Sequence, residues 1–138
     1  MEGSQADLGE VVAAQGEGRI ELVVSTLSPD GRWAAGLLHV SETDHWLESV
    51  YELVDGAWRE WTTSNEEQAW SPIRTKDGVS IGVFRLYGPA PPEAERALVS
   101  WRGELHEAPV QNGFFAFAAW DVSDEELIRT PPALSGFA

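Results

Sequence analysis

Hydrophobic and polar residues alternate along most of this chain, in short runs separated by turn-forming pairs. An aspartate or asparagine followed by glycine tolerates the positive φ angles of tight hairpin turns. Four such pairs punctuate the sequence: Asp30-Gly31, Asp55-Gly56, Asp77-Gly78 and Asn112-Gly113. The runs beside them are rich in Val, Ile, Leu, Trp, Phe and Thr, and this combination predicts a series of β-hairpins.

About eight short strands follow from these patterns. They span residues 19–28, 33–40, 46–54, 57–63, 79–87, 96–102, 104–110 and 114–120. The apolar residues of 46–54 also fit one face of a helix, but the aromatic and β-branched content and the Asp-Gly turn that follows favour a strand. Residues 64–78 are predicted to be a long loop, because a Ser-Pro pair interrupts them.

The C-terminal third carries three further signals. The run FFAFAAW at 114–120 is apolar at successive positions, which predicts a central strand buried on both faces. Pro109 predicts an edge or a bulge in the preceding strand, because proline donates no ladder hydrogen bond. Helix is expected only at 123–128, where Ser123 and Glu126 have capping-box spacing. The ends, about 1–8 and 131–138, are expected to be loose.

These elements predict an all-β fold, an antiparallel β-sandwich with one short C-terminal helix, and a small β-barrel is the alternative. The half from Val79 to Trp120 resembles an immunoglobulin-like or fibronectin-like sandwich. It has a strand, a proline-rich bend (YGPAPPEAE) and a hairpin closing on an apolar strand (EAPVQNGFFAFAAWDV). The same stretch is similar to uncharacterised proteins of high-GC bacteria with a PV-x-N-G-F/Y-F segment ending in AWDV. The resemblance implies a fold and no activity.

Composition narrows the classes of partner. The length of 138 residues predicts a single domain, 1–138. There are 23 acidic and 9 basic residues, a net charge of −14, and no cysteine. Such a charge disfavours nucleic acid and anionic lipid, and it favours encounter with a basic partner. The N-terminus has no signal-peptide pattern and no apolar run could span a bilayer, so we expect a cytoplasmic protein.

Motifs of common catalysts are missing from the sequence: there is no P-loop, no dinucleotide fingerprint, no H-E-x-x-H and no G-x-S-x-G. The loop HVSETDH, from His39 to His45, places two imidazoles near Ser41 and Asp44. Such groups could hold a metal ion or form a Ser–His–Asp relay. We interpret the loop instead as a solvated polar turn, with no catalytic residue, metal or cofactor. His106 is expected to be an exposed cross-strand partner of a carboxylate.

Tryptophan is the unusual residue, with seven in the chain and four between positions 46 and 70. Trp58 and Trp61 lie on opposite faces of their predicted strand, so at most one of them faces the core of a sandwich. The other rings predict an exposed aromatic platform beside acidic residues, and core packing is the alternative for each ring. The candidate binding residues are Trp46, Trp58, Trp61, Trp70, Asp44 and His45.

The resulting hypothesis is a non-catalytic binding domain that recognises a protein or small ligand through this Trp-rich acidic surface. A basic or amphipathic protein partner suits the charge, as in immunity or inhibitor proteins. The alternative is a small β-barrel enzyme, a cyclase or hydrolase, that uses His39, Asp44 and His45 beside an aromatic pocket. Histidines converging in a tryptophan-lined cavity would favour the enzyme, and histidines dispersed over turns would favour the binding domain. Exposed strand edges would also allow two chains to pair through their edge strands as a dimer.

Overall fold

The computed structural model describes the backbone of residues 5–138 and the side chains from Asp7 onward. Internal contacts divide the chain into two compact units, one ending at Glu66 and the other spanning Glu67–Ala138. The first contains α1 (Gln5–Gln15), β1 (Ile20–Leu27), β2 (Trp33–Val40), β3 (His45–Val54) and β4 (Ala57–Ser64). The second contains β5 (Gln68–Lys76), β6 (Val79–Pro89), β7 (Arg96–Trp101), β8 (Glu104–Gln111), β9 (Phe114–Ser123), α2 (Asp124–Arg129) and β10 (Ala133–Phe137).

The predicted all-β antiparallel class is confirmed. The strands form two separate sheets, as a sandwich requires, one of four strands and one of six. Every strand pair is antiparallel, and within residues 5–138 neither sheet closes into a barrel. Residues 46–54 lie in a strand, β3, as the Asp-Gly turn indicated. The turn at Asp55-Gly56 has φ angles of 51° and 78°, the left-handed pair that a tight hairpin needs.

The first sheet is a meander in the order β1-β2-β3-β4. Its register pairs Ala34 with Tyr51 and Leu38 with Leu47, so these four side chains share one face of the sheet. Helix α1 covers this face. The buried core of the unit consists of Leu8, Val12, Ala34, Leu38, Tyr51, Leu53 and Trp58.

Helix α1 was not predicted, since the sequence led us to expect a loose N-terminus and helix only near the C-terminus. The structure differs because Leu8, Val11 and Val12 have the i, i+3, i+4 spacing of a helical face and pack on the sheet. Leu8 and Val12 are almost fully buried. The expected loose residues 1–4 lie outside the described part of the chain.

The second sheet has the order β10-β7-β8-β9-β6-β5, which makes β9 an interior strand. Phe115, Ala116 and Phe117 are all buried, so both faces of β9 are covered, as its apolar sequence predicts. Trp120 is half-buried. The core of this unit consists of Phe84, Ala97, Val99, Trp101, Ala108, Phe115, Phe117, Ala119, Val122 and Leu127.

The predicted loop at 64–78 is wrong, because most of it is strand β5. This strand lies at an edge of the second sheet and pairs only with β6 among the described strands. The register shifts between Pro72 and Arg74. Proline is tolerated on an edge strand at a bulge, where its missing N–H interrupts no regular ladder. The Ser-Pro pair that suggested a loop therefore marks an irregular strand.

The C-terminal segment confirms the predicted helix and corrects the predicted loose end. Helix α2 begins where the capping box predicts it, since Ser123 Oγ accepts a hydrogen bond from the backbone N–H of Glu126 at 3.2 Å. Residues 131–138 were expected to be loose, but Ala133–Phe137 forms β10 on β7. Phe137 packs on Phe115 with ring centroids 6.0 Å apart, and this contact anchors the strand.

Candidate functional site

Three strands of the first unit bring an acid, a histidine and a tryptophan into one row. Glu21 of β1 lies opposite His39 of β2, and His39 lies opposite Trp46 of β3. Directly opposed residues in a sheet point to the same face with close Cβ atoms. This is the face opposite to the one that α1 covers, because Leu38 and Leu47, the next residues along each strand, pack with the helix.

Side-chain contacts hold the row together. The ring centroids of His39 and Trp46 are 4.5 Å apart and the ring planes are inclined by 38°. His39 Nε2 lies 2.7 Å from Asp44 Oδ1, which is a hydrogen bond and, when the imidazole is protonated, an ion pair. Asp44 keeps 84% of its side chain exposed and Trp46 is 38% exposed. The indole is therefore fixed on one side by the histidine and still open to solvent.

The turn between β2 and β3 carries another carboxylate besides Asp44. Glu42 Oε2 lies 3.7 Å from Arg19 Nη1, and both side chains are more than half exposed. Ser41 Oγ donates to the backbone carbonyl of Arg19 at 3.1 Å. Asp44 has a φ of 51°, which aspartate tolerates in a tight turn. We call Glu21, His39, Glu42, Asp44 and Trp46 the Trp46 cluster.

The other candidate tryptophans do not join this cluster. Trp58 is only 4% exposed and belongs to the core beneath α1. Trp61 is 47% exposed on the first unit and meets Trp33 edge to face at 5.3 Å. Trp70 belongs to the second unit, is half-buried, and donates its indole N–H to the carbonyl of Val122 at 3.0 Å. The four rings predicted to form one platform thus have different environments.

The histidines do not converge. His45 is exposed, and its strand position places it on the opposite face from His39. His106 lies in the second unit, half-buried, with Nε2 3.1 Å from the carbonyl oxygen of Trp101 and its ring near that indole. The expectation of an exposed His106 beside a carboxylate is therefore wrong. Residue 106 lies opposite Val99, and its neighbours are aromatic rings.

The chemistry of an enzyme needs more than the His39–Asp44 pair. A serine relay would use the Ser41 hydroxyl, but that hydroxyl donates to Arg19 and not to His39. Among the described residues, no group of three or more His, Asp or Glu side chains is arranged to hold a metal ion. What the arrangement offers is an aromatic surface bordered by carboxylates.

Charge is unevenly divided between the two units. The sequence through Glu66 holds 13 acidic and 3 basic residues, a net charge of −10, whereas Glu67–Ala138 holds 10 acidic and 6 basic residues, a net charge of −4. The first unit, which carries the Trp46 cluster, is therefore the more acidic of the two. Trp61, by contrast, lies two residues after the exposed Arg59.

The first unit also contains a cavity of about 390 Å³. It lies between α1 and the sheet, and the described residues that line it include no histidine or tryptophan. Tyr51 lines it, and its hydroxyl is buried. The sequence could not indicate this site, because α1 itself was not predicted.

Comparison with known protein families, curated proteins and solved structures finds no match to this chain. Neither described helix has the length and apolar character needed to cross a membrane.

Proposed function

We propose that this protein is a non-catalytic binding module whose Trp46 cluster captures an arginine- or lysine-rich segment of a basic protein. The observation that carries the proposal is the contact of Trp46 with His39, which presents an indole beside exposed carboxylates. A guanidinium or ammonium group is attracted to the face of an indole, and tryptophan is the best aromatic partner for such a cation. Asp44, which is bonded to the same histidine, supplies negative charge near the indole, and Glu42 lies in the same turn, where it pairs with Arg19.

The charge of the unit supports a basic partner over an acidic or neutral one. A net charge of −10 through Glu66 steers cationic segments toward this unit, and such steering weakens as salt rises. Aromatic residues dominate the hot spots of protein interfaces, so the indole is expected to contribute most of the affinity and the carboxylates most of the association rate.

The proposal is tested with a hexa-arginine peptide, titrated by calorimetry at low and at high sodium chloride. Trp46→Ala should weaken binding about fivefold or more, the effect of one cation–π contact at a partly desolvated site. Trp61→Ala is the matched control, because Trp61 is similarly exposed on the same unit but lies near Arg59. It should leave the affinity unchanged.

A second pair of variants separates recognition from general charge. Glu21→Gln with Asp44→Asn removes two carboxylates of the Trp46 cluster, and Glu104→Gln with Glu107→Gln removes two exposed carboxylates of β8 in the second unit. The first pair should weaken peptide binding clearly more than the second. Equal losses, or no effect of Trp46→Ala, would show that the peptide binds through net charge alone.

A further inference from the structure

The described residues that line the cavity under α1 all belong to the first unit. Val12 and Gln15 come from the helix, Ile20 from β1, and the remaining lining residues from β2, β3 and β4. Those remaining residues are Leu38, Leu47, Ser49, Tyr51, Glu60 and Thr63. The volume, about 390 Å³, falls within the range of roughly 300–1,000 Å³ typical of small-molecule sites.

The lining contains both apolar and polar groups. Branched aliphatic side chains come from the helix and from three neighbouring strands, β1, β2 and β3: Val12, Ile20, Leu38 and Leu47. The polar groups come from β3, β4 and the end of α1. A lining that combines aliphatic walls with polar groups suits a small organic molecule that has an apolar and a polar part.

Tyr51 contributes a buried phenol to this lining. The residue is 0% exposed, and its hydroxyl makes no hydrogen bond of good geometry among the described residues, although the Ser49 hydroxyl lies near it. The nearby hydroxyl of Ser49 is engaged with Thr63 Oγ1 at 2.6 Å. A buried hydroxyl without a partner costs free energy, and native structures seldom leave one without a reason such as a ligand.

The protonation state of Tyr51 determines whether its hydroxyl can donate a hydrogen bond. Burial raises its pKa to about 12, the Glu60 carboxylate adds to the rise, and the Ser49 hydroxyl opposes it. At neutral pH the phenol is therefore protonated and can donate a hydrogen bond.

We propose that this cavity binds an uncharged amphipathic small molecule, an apolar body bearing a hydroxyl or carbonyl oxygen that accepts a hydrogen bond from Tyr51. The aliphatic walls take the apolar body. The oxygen supplies the partner that the Tyr51 hydroxyl lacks. The cavity is separate from the Trp46 cluster, which lies on the other face of the sheet. The proposal of a small-molecule ligand therefore does not depend on the proposed protein partner.

The charge of the ligand follows from its surroundings. An anion would meet the Glu60 carboxylate in a unit that already carries a net charge of −10. A cation would be attracted by the exposed Glu60, but at the buried Tyr51 it would lose its hydration beside a neutral phenol. A neutral oxygen incurs neither cost.

The close passage of α1 over β1 shapes one wall. Gly16 follows the helix, and a Cβ atom at that position would come 2.5 Å from Ile20 Cγ1. Such a distance is a steric clash, so only glycine lets the chain turn here while Ile20 remains in the wall.

Three ligands that share one chain and differ in the head group test the proposal: n-octanol, octanoate and octylammonium. Each is titrated against the whole protein by calorimetry, with ¹H–¹⁵N spectra to locate the site. We expect saturable binding of n-octanol, weaker or undetectable binding of octanoate, and shifts of amide signals at Val12, Leu47 and Tyr51. Tyr51→Phe should weaken n-octanol binding about three- to tenfold, the effect of one hydrogen bond.

The two tyrosines of the chain provide a matched control. Tyr87→Phe alters the buried tyrosine of the second unit and should leave n-octanol affinity unchanged. Leu47→Trp, which would fill the cavity, should abolish binding, with circular dichroism to confirm the fold. Without ligand, Tyr51→Phe should melt at or above the wild-type temperature, since it removes an unpartnered group; a damaged fold would melt lower.

Other outcomes would overturn the proposal. If n-octanol does not bind saturably, the cavity is not a site for this class of molecule. If Tyr51→Phe binds n-octanol as wild type does, the hydroxyl is not the recognition group. If octylammonium binds more tightly than n-octanol and is unaffected by Tyr51→Phe, the cavity selects a cation through Glu60 instead.

Discussion

Arg102 and Glu126 form a two-point ion pair in the second unit. The Nε of Arg102 donates to Oε2 of Glu126 at 2.5 Å, and Nη2 donates to Oε1 at 2.7 Å. Arg102 belongs to the turn after β7, and Glu126 lies in the first turn of α2. The guanidinium also lies 3.9 Å from the ring centroid of Trp101. The pair therefore ties the short helix to the sheet, and a planar, bidentate geometry is the strongest form of such a contact.

The Arg102–Glu126 pair should stabilise the folded chain at neutral pH more than at acidic pH. The hydrogen bonds from Arg102 hold the pKa of Glu126 below its ordinary value of 4.5, so the contribution is present above that value and is lost as pH falls through the lower, folded-state pKa. Glu126→Gln should cost about 0.5–1 kcal/mol at pH 7, because the side chains are partly exposed, and less at pH 3, which lies below the ordinary pKa of the carboxyl. Urea unfolding at both pH values measures the difference; an equal cost at both would contradict it.

The core of the second unit should depend strongly on Phe117. This ring is 6% exposed and meets Trp101 edge to face, with centroids 6.3 Å apart. Phe117→Ala should lower the free energy of unfolding by about 3–5 kcal/mol, since it removes a buried ring and leaves a cavity. Leu105→Ala, at a residue 58% exposed, is the control and should change stability by less than about 0.5 kcal/mol. Comparable urea midpoints for the two variants would show that Phe117 is not core.

Packing of α1 should depend on Leu8. The side chain is fully buried against the sheet although its helix is near the N-terminus. Leu8→Ala should cost about 2–5 kcal/mol in the stability of the docked helix. Hydrogen exchange of the amides of residues 9–15 measures it directly, because an undocked helix of this length is marginal in water. Ala13→Ser, at an exposed position of the same helix, should leave protection nearly unchanged.

Tyr51 should make the protein sensitive to alkali. Its pKa is about 12 in the folded chain and 10.0 ordinarily, so the unfolded chain ionises first as pH rises. Stability attributable to the neutral phenol is present below pH 10 and is lost between pH 10 and 12. The loss should be roughly 2–3 kcal/mol, because one pKa unit corresponds to about 1.4 kcal/mol. Urea unfolding of wild type and Tyr51→Phe over this range measures it; parallel pH profiles would contradict the assignment.

Elements with a local signature could be predicted from the sequence. The hairpin at Asp55-Gly56 depends on two residues that accept positive φ, and α2 depends on the Ser123 hydroxyl and the N–H three residues later. The successive apolar residues of β9 predict an interior strand because both of its faces must leave water. These features arise from neighbouring residues, and the local sequence specifies them.

Elements that depend on a distant partner could not be predicted in the same way. Strand β5 contains Pro72 and is held by β6, and β10 is held by β7 and by the contact of Phe137 with Phe115. Helix α1 has the periodicity of a helix, but it is too short to be stable alone and needs the sheet beneath it. Tertiary packing decides such marginal segments.

The candidate site shows the same division. The sequence determined that tryptophans and acids are dense between His39 and Trp70, and that the chain is acidic enough to favour a basic partner. The tertiary structure alone decided that Trp58 is core, that Trp46 contacts His39 and remains exposed, and that Tyr51 lines a cavity. The reason is physical: alternation along a strand places a side chain on one of two faces, whereas burial depends on which element covers that face.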